Sequence, residues 1–230
     1  TYGNSQISFG NVAGFATIYV GSDSDPMDAI DDITPSAYEE ANGSGSGTYV
    51  DVGALAGEMG IGAKFDVPFL GAVNFKHYPK VDSAKNADNT ASGDTGASMG
   101  GGNSLTIKTN LGDLPVVGSF VDGFALTTGV TEYDNATDAN TDDAFELNAA
   151  ITGSIGNFSL GFQKELISDG QTSESEQAKF YKDQTIGLAY AVNDQLSISY
   201  NQIESYRHHH SSVNPRQETD AINTGYTVGG

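Results

Sequence analysis

Alternation of bulky apolar residues with small or polar ones is clearest along residues 184–202. The bulky apolar residues occupy every second position in both halves of this stretch: Ile186, Leu188, Tyr190 and Val192, then Leu196, Ile198 and Tyr200. Between the halves lies Asn193-Asp194, a pair typical of two-residue turns. A period of two on both sides of a tight turn predicts an antiparallel β-hairpin.

The second face of this hairpin consists of Thr, Gly, Ala, Gln, Ser and Asn, without charged residues. A soluble sheet usually exposes Lys, Glu and Arg to water. Small, uncharged polar residues instead suit the inner wall of a wide, water-filled barrel whose apolar face meets lipid. A soluble β-sandwich with its apolar face turned inward is the alternative.

Along the whole chain, similar stretches predict about ten or eleven strands. Short connections begin near residues 11, 68, 112, 156 and 193, and long polar ones begin near 22, 81, 134, 168 and 207. Short turns at one end of a meander and long loops at the other are typical of outer-membrane barrels, whereas Greek-key sandwiches do not sort their connections. The sequence therefore predicts an all-β fold, an antiparallel up-and-down transmembrane β-barrel, with residues 1–230 in one domain. The last loop is predicted over residues 207–219 and the last strand over 221–228.

Charged residues within the predicted strands mostly avoid the apolar face. Lys64, Lys76, Lys108, Asp66 and Glu146 all fall on the polar face of their strands. A basic residue that faces lipid at the midplane costs about 2–4 kcal/mol, and one near the rim about 0–1 kcal/mol. Two exceptions, Lys164 and Glu204, share the apolar face but lie toward a long loop, where a lysine can extend to the headgroups.

Composition excludes several classes of protein. Asp and Glu number 30 against 10 Lys and Arg, giving a formal charge of −20, so nucleic acid is not an expected partner. The chain has no cysteine, which excludes disulfides and thiolate metal sites. No run of 18 or more apolar residues occurs, so no transmembrane helix is predicted. The strands of a membrane barrel would not produce such a run.

Two stretches resemble the general porins of Gram-negative bacteria. Residues 7–29 read ISFGNVAGFATIYVGSDSDPMDA, similar to a porin strand that ends in Val-Gly and leads into the loop folded into the pore. Residues 186–200, with LAYAVNDQLSISY, look like late strands of porins from alphaproteobacteria, especially marine ones. Such porins are trimers of 16-stranded barrels. With fewer strands and no terminal aromatic strand, this chain is expected to be an internal fragment, and a smaller complete barrel is the alternative.

The resemblance implies a function and a site. It predicts passive diffusion of ions and small hydrophilic solutes through a pore narrowed by residues 22–57, folded inward as the constriction loop. Acids of this loop would line one side of the constriction: Asp28, Asp31, Asp32, Glu39 and Glu40. Lys64, Lys76 and Lys108 would form an opposing basic wall, and Gly60 and Gly62 would leave room for the loop. The excess of acids predicts a preference for cations. Expected partners are the lipid bilayer, lipopolysaccharide, the permeating solutes and further copies in a homotrimer.

Other candidate chemistry is weaker. His208, His209 and His210 could bind a transition metal, but neighbouring histidines on an extended segment do not converge on one ion without help. Acids of one loop, Asp134, Asp138, Asp142 and Asp143, lack the EF-hand spacing, so at most loosely bound Ca²⁺ is expected there and no other cofactor. No pair of carboxylates is positioned for glycoside hydrolysis, so an enzyme is not expected. The alternative function is that of a soluble or secreted β-sandwich adhesin or binding module.

Overall fold

A computed structural model of the chain describes residues 5–23, 25–37, 50, 52–79, 101–115, 120–134, 143–168, 178–209 and 214–227. Eleven strands make up nearly all of the regular structure: β1 Gln6–Val12, β2 Ala16–Gly21, β3 Gly60–Val67, β4 Gly71–Tyr78, β5 Gly102–Asn110, β6 Phe124–Tyr133, β7 Ala144–Ile155, β8 Phe158–Ser168, β9 Ala178–Ala191, β10 Leu196–His209 and β11 Arg216–Tyr226. The described residues also include two short 3-10 helices, Asp28–Ile30 and Leu111–Asp113. Among the described residues, no helix is long and apolar enough to cross a membrane.

All eleven strands form one sheet in which each strand pairs with the next strand in sequence, from β1 to β11. Every pairing is antiparallel. The predicted all-β, up-and-down architecture is therefore confirmed. β1 and β11 are the edges of this sheet, and no pairing between them occurs within the described ranges.

The last strands extend further toward the long loops than the sequence predicted. β10 continues to His209 and β11 begins at Arg216, so the predicted loop over residues 207–219 is wrong. Several residues there are charged or polar. Their side chains nevertheless alternate in a regular ladder, with Glu204 opposite Glu218 and Tyr206 opposite Arg216. Charge does not prevent strand pairing where the side chains reach water.

The apolar and polar faces lie as a membrane barrel requires. Leu147, Phe162, Leu188 and Ile198 point away from the sheet's covered side and are 38–42% exposed. Polar side chains on the opposite face are buried instead: Ser104, Thr106, Thr127, Thr131, Glu146, Asn148, Gln163, Thr185, Ser199 and Asn201. A soluble β-sandwich would bury the first set and expose the second. We call the polar face the inner face and the apolar face the outer face.

Residues paired across successive strands form rows. Relative to the band of exposed apolar residues on the outer face, these rows shift toward the long loops from β7 to β11. One row runs from Ile151 to Phe162 and Ile186, all apolar, and continues to Gln202 and Asp220, which are polar. Strands that are tilted relative to a barrel axis produce this shift. The rows run perpendicular to the strands, so they are not perpendicular to the axis. The outward charged residues of the strands accordingly all lie in the loop-end halves: Glu132, Lys164, Lys182, Glu204, Arg216, Glu218 and Asp220.

Exposed aromatic residues mark the opposite boundary of this band. Phe15, Phe69, Phe158 and Tyr226 lie at or beside the short turns and are 49–69% exposed. Phe158 also contacts Tyr190 on the next strand, with ring centroids 4.6 Å apart. Membrane barrels carry aromatic girdles of this kind where the apolar band meets the headgroups.

A lysine placed in the middle of the outer face should destabilise the protein in lipid. We expect Leu188→Lys to lower the free energy of unfolding by roughly 2–4 kcal/mol and Gln202→Lys, beyond the apolar band, by about 0–1 kcal/mol. Urea titration in phosphatidylcholine vesicles, followed by heat-modifiable gel migration, measures both. Equal losses for the two variants would contradict the assignment of the outer face to lipid.

Candidate functional site

The segment between β2 and β3 is anchored at both ends to β4. Near its start, the hydroxyl of Tyr78 donates a hydrogen bond to Asp25 Oδ1. Lys76 Nζ donates to the carbonyl of Asp23 at 3.3 Å, near the start, and to that of Glu58 at 3.2 Å, near the end. Lys76 and Tyr78 are both fully buried, and the Lys76 ammonium lies 4.6 Å from the centroid of the Tyr78 ring. This buried pair therefore clamps the two ends of the segment together.

Within the segment, the short helix Asp28–Ile30 contributes to a small apolar cluster on the otherwise polar inner face. Its buried members are Met27, Ile30, Val50 and Val52, and Ile33, Ile167 and Tyr181 pack against them. Glu146 on β7 holds the returning chain, because its two carboxylate oxygens accept hydrogen bonds from the amides of Gly53 and Ala54 at 2.8 and 3.1 Å. Charge-assisted bonds of this type are stronger than neutral ones.

Amide side chains of the wall bind the backbone of the crossing segment. Asn148 Nδ2 and Gln163 Nε2 both donate to the carbonyl of Ile30, at 3.0 and 3.3 Å. Gln163 Oε1 accepts from the amide of Ile33 at 3.0 Å. Asn148 and Gln163 thus replace the water that these backbone groups would otherwise need.

The segment continues over the last strands of the sheet. Asn201 Nδ2 on β10 donates to the carbonyl of Pro35 at 2.9 Å. The amide of Ala37 donates to Ser199 Oγ at 2.8 Å, and Asn223 Nδ2 on β11 donates to Ser36 Oγ at 3.2 Å. Residues 25–37 therefore cross the inner face from β4 to β11.

Glycines on the wall leave the space that this crossing needs. A Cβ atom at Gly129 would lie 2.6 Å from Ile30 Cδ1, and one at Gly187 would lie 2.8 Å from the carbonyl oxygen of Pro35. At Gly161 it would overlap Pro35, and at Gly225 it would overlap the carbonyl of Ala37. Close approach of another backbone is a common reason for glycine within a strand.

The glycines that the sequence predicted for this role lie elsewhere. A Cβ at Gly62 would overlap the ring of Tyr19, a fully buried residue of β2, and one at Gly60 would meet Lys76 and the carbonyl of His77. The prediction that Gly60 and Gly62 make room for the loop is therefore wrong. The space over them is filled by side chains and backbone of the wall itself.

Three of the predicted acids are in the described part of the segment. Asp28 is exposed, while Asp31 and Asp32 are half-buried beside Glu165 of β8. Carboxylate oxygens of Asp31, Asp32 and Glu165 lie within 4.8 Å of one another. Glu165 is buried and accepts hydrogen bonds from Asn148 and Gln163, both at 2.7 Å. Glu39 and Glu40 lie outside the described residues. We call Asp31, Asp32 and Glu165 the acidic cluster.

The three predicted lysines all point to the inner face but have different surroundings. Lys64 is exposed, 5.2 Å from the centroid of the Tyr19 ring. Lys108 is exposed near the short-turn end, where it lines a cavity of about 720 Å³ with Asp66 and Asp113. A basic wall that includes these two stays a prediction. Lys76 differs, because its buried ammonium binds backbone carbonyls of the segment and does not face open solvent.

The weaker candidates do not assemble into a site within the described residues. His208 stacks on Phe180 of the outer face, with ring centroids 4.3 Å apart, and the next residue, His209, points to the opposite face because strand side chains alternate. His210 lies outside the described residues, as do Asp138 and Asp142. Asp134 accepts a hydrogen bond from the amide of Gly101 at 2.9 Å. Loosely bound Ca²⁺ at the acidic loops stays a prediction.

Comparison with known proteins supports the porin-like architecture. No protein-family model matches the sequence, and no curated protein matches it significantly. Among solved structures, the fold is similar to one described as the crystal structure of the outer membrane channel DcaP of Acinetobacter baumannii. The TM-score is 0.58 at 8% sequence identity. The chain shares the fold of an outer-membrane channel. The alignment covers 97% of this chain and 61% of that channel, so the chain spans less than two thirds of its length.

Filling one of the wall glycines should loosen the part of the crossing segment that lies over it. Gly161→Val would push a side chain into Pro35, whereas Gly10→Val, in β1, would enter open space. We expect hydrogen exchange at the amide of Ile33 to become about tenfold faster in Gly161→Val, which corresponds to about 1.4 kcal/mol of local stability. The Gly10→Val control should leave this amide protected. Equal exchange in both variants would mean that the segment does not depend on the wall glycines.

Proposed function

We propose that the chain forms the wall and the constriction of an outer-membrane porin, through which ions and small hydrophilic solutes diffuse passively. The observation that carries the proposal is the crossing of a polar inner face by residues 25–37, behind an outer face that is apolar. A segment held across the lumen reduces the width of a pore, and the wall groups beside it determine which solutes pass. The fold shared with an outer-membrane channel supports the same function.

Selectivity would come from the acidic cluster. Asp31 and Asp32 lie on the segment and Glu165 on the wall behind it, so carboxylates concentrate on one side of the crossing. Charge in a narrow passage with low-dielectric walls attracts counter-ions and repels ions of its own sign. Lys64 and Lys108, on β3 and β5, would lie across the lumen and complete a transverse field. We therefore propose a preference for cations.

Further strands would complete the barrel. Two sheet edges without partners are not tolerated in lipid, because their backbone groups cannot bind water. The chain would then be part of a 16-stranded barrel of the type found in marine alphaproteobacteria, assembled as a homotrimer in contact with phospholipid and lipopolysaccharide. The share of the channel that the chain covers, 61%, agrees with this proposal.

The rival function, a soluble β-sandwich adhesin, requires the apolar side chains to be covered. Leu147, Phe162, Leu188 and Ile198 are all more than a third exposed, which favours a protein in contact with lipid. No reaction is assigned, and the structural neighbour is a channel. A monodisperse monomer without detergent would favour the rival.

Conductance across a planar bilayer tests the porin function and its selectivity. Under a gradient of potassium chloride, we expect the purified complete barrel that contains this chain to conduct, with the reversal potential of a cation-selective pore. The double variant Asp31→Asn/Asp32→Asn should move this potential toward that of a non-selective pore, because it removes two charges from the constriction.

Asp194→Asn is the matched control, since Asp194 lies in the short turn between β9 and β10, away from the crossing segment. It should leave the reversal potential unchanged. An anion-selective wild-type pore would refute the proposed preference. Absence of conductance in a complete barrel that inserts into bilayers would refute the porin function itself.

A further inference from the structure

Two lysines interrupt the apolar outer face on neighbouring strands. Lys164 on β8 and Lys182 on β9 both point outward and are exposed. They line a cavity of about 500 Å³ whose outer-face members also include Leu147, Leu166 and Tyr206. A pair of cations beside leucines is unfavourable against hydrocarbon, so this place on the outer face needs an explanation.

No acidic side chain neutralises either lysine within the described part of the chain. The outward acid on the neighbouring strand, Glu204, is already engaged, with Arg216 at 2.5 Å and the hydroxyl of Tyr206 at 2.7 Å. The two ammonium groups lie over aromatic rings instead. Lys164 Nζ is 5.6 Å from the centroid of Phe162, and Lys182 Nζ is 4.7 Å from that of Tyr206. Among the described residues, the contacts of the two ammonium groups are therefore with aromatic rings and not with carboxylates.

The register places the two lysines within reach of one small anion. Lys164 pairs with Gln184, and Lys182 pairs with Leu166, so the lysines are diagonal neighbours across β8 and β9. Diagonal neighbours have Cβ atoms roughly 7–8 Å apart, and the long lysine stems can close the remaining distance. Oxygens of a phosphate group could therefore accept hydrogen bonds from both ammonium groups.

The position of the two lysines along their strands matches the level expected for a lipid headgroup. Both lysines lie in the loop-end halves of their strands, at the upper boundary of the apolar band. Toward the short turns, an exposed apolar strip of Phe162, Leu160, Ile186 and Leu188 continues along the same two strands. An amphiphile with its anionic head at the lysines would lay its acyl chain along this strip.

We propose that Lys164 and Lys182, with Tyr206 beside them, bind the phosphorylated headgroup of an anionic lipid in the leaflet that faces the long loops. The proposal rests on the proposed function, because it requires the outer face to lie in a membrane. A second copy of the chain is a poorer occupant. If two copies met through this same patch, four uncompensated ammonium groups would face one another.

The test compares lipid retention by two double variants with equal loss of charge. Lys164→Gln/Lys182→Gln removes the proposed site, and Lys64→Gln/Lys108→Gln removes two lysines of the inner face. Each full chain is titrated in detergent with lipid A, whose phosphate groups make it anionic, or with phosphatidylcholine, whose phosphate is balanced by choline. Bound lipid is counted by native mass spectrometry. We expect the first variant to bind lipid A about thirtyfold more weakly, and the control to bind it like the wild type.

Several outcomes would overturn the site. They are equal binding of lipid A by all three proteins, equal loss in both variants, or the same loss with phosphatidylcholine. A change of oligomeric state in Lys164→Gln/Lys182→Gln without loss of lipid A would assign the patch to a protein interface instead. Conductance of the same preparations separates the two proposals. A complete barrel that conducts but binds lipid A equally well without the two lysines refutes only the site. Failure of the complete barrel to insert refutes the porin function and the lipid site together.

Discussion

The separation of apolar and polar side chains by strand parity is the constraint on which the rest of the structure depends. Because one face of every strand is given to apolar residues, all polar groups must be satisfied on the other. Much of the inner face consists of uncharged amides and hydroxyls, such as Gln163, Asn201 and Ser199. Side chains of these types can donate a hydrogen bond to a backbone carbonyl or accept one from a backbone amide. Two charged residues of this face, Lys76 and Glu146, also bind the backbone of the segment.

The candidate site on the inner face depends on the crossing segment, residues 25–37. The two ends of the whole connection between β2 and β3 are clamped by buried Lys76, the crossing segment carries its own apolar cluster, and its far end rests on glycines and serines of the last strands. Each anchor is a local contact, but the anchors lie on seven strands: β4, β6 to β10, and β11. A change that loosened one of them would leave the others in place, so its effect on the segment would be local.

Much of the fold could be predicted from the sequence, because a period of two, turn pairs and loop lengths are local properties. The parity of Lys64, Lys108 and Glu146 was also local and is reproduced by the structure. The site was less predictable. Glu165, Asn148 and Gln163 meet Ile30 only because three strands lie in a particular register, and nothing in the spacing of these residues along the chain reveals it. The prediction for Gly60 and Gly62 is wrong for a similar reason. The sequence shows which face of the sheet a glycine is on, but it does not show which residues lie over it.

The tilt of the strands explains why outward polar residues occur at positions where a membrane barrel is expected to have apolar ones. Judged by strand position alone, Gln202 and Asp220 are outward polar residues near the middle of β10 and β11, where lipid would exclude them. Their hydrogen-bonded row, however, begins within the apolar band on β7 and rises above it by β10. In the proposed membrane barrel, the polar ends of the last strands would thus lie outside the hydrocarbon. Tyr200 donates its hydroxyl to Asp220 at 2.6 Å where the apolar band ends. In a membrane barrel, the depth of a residue therefore follows from the tilt of the strands, and not from its position within its own strand alone.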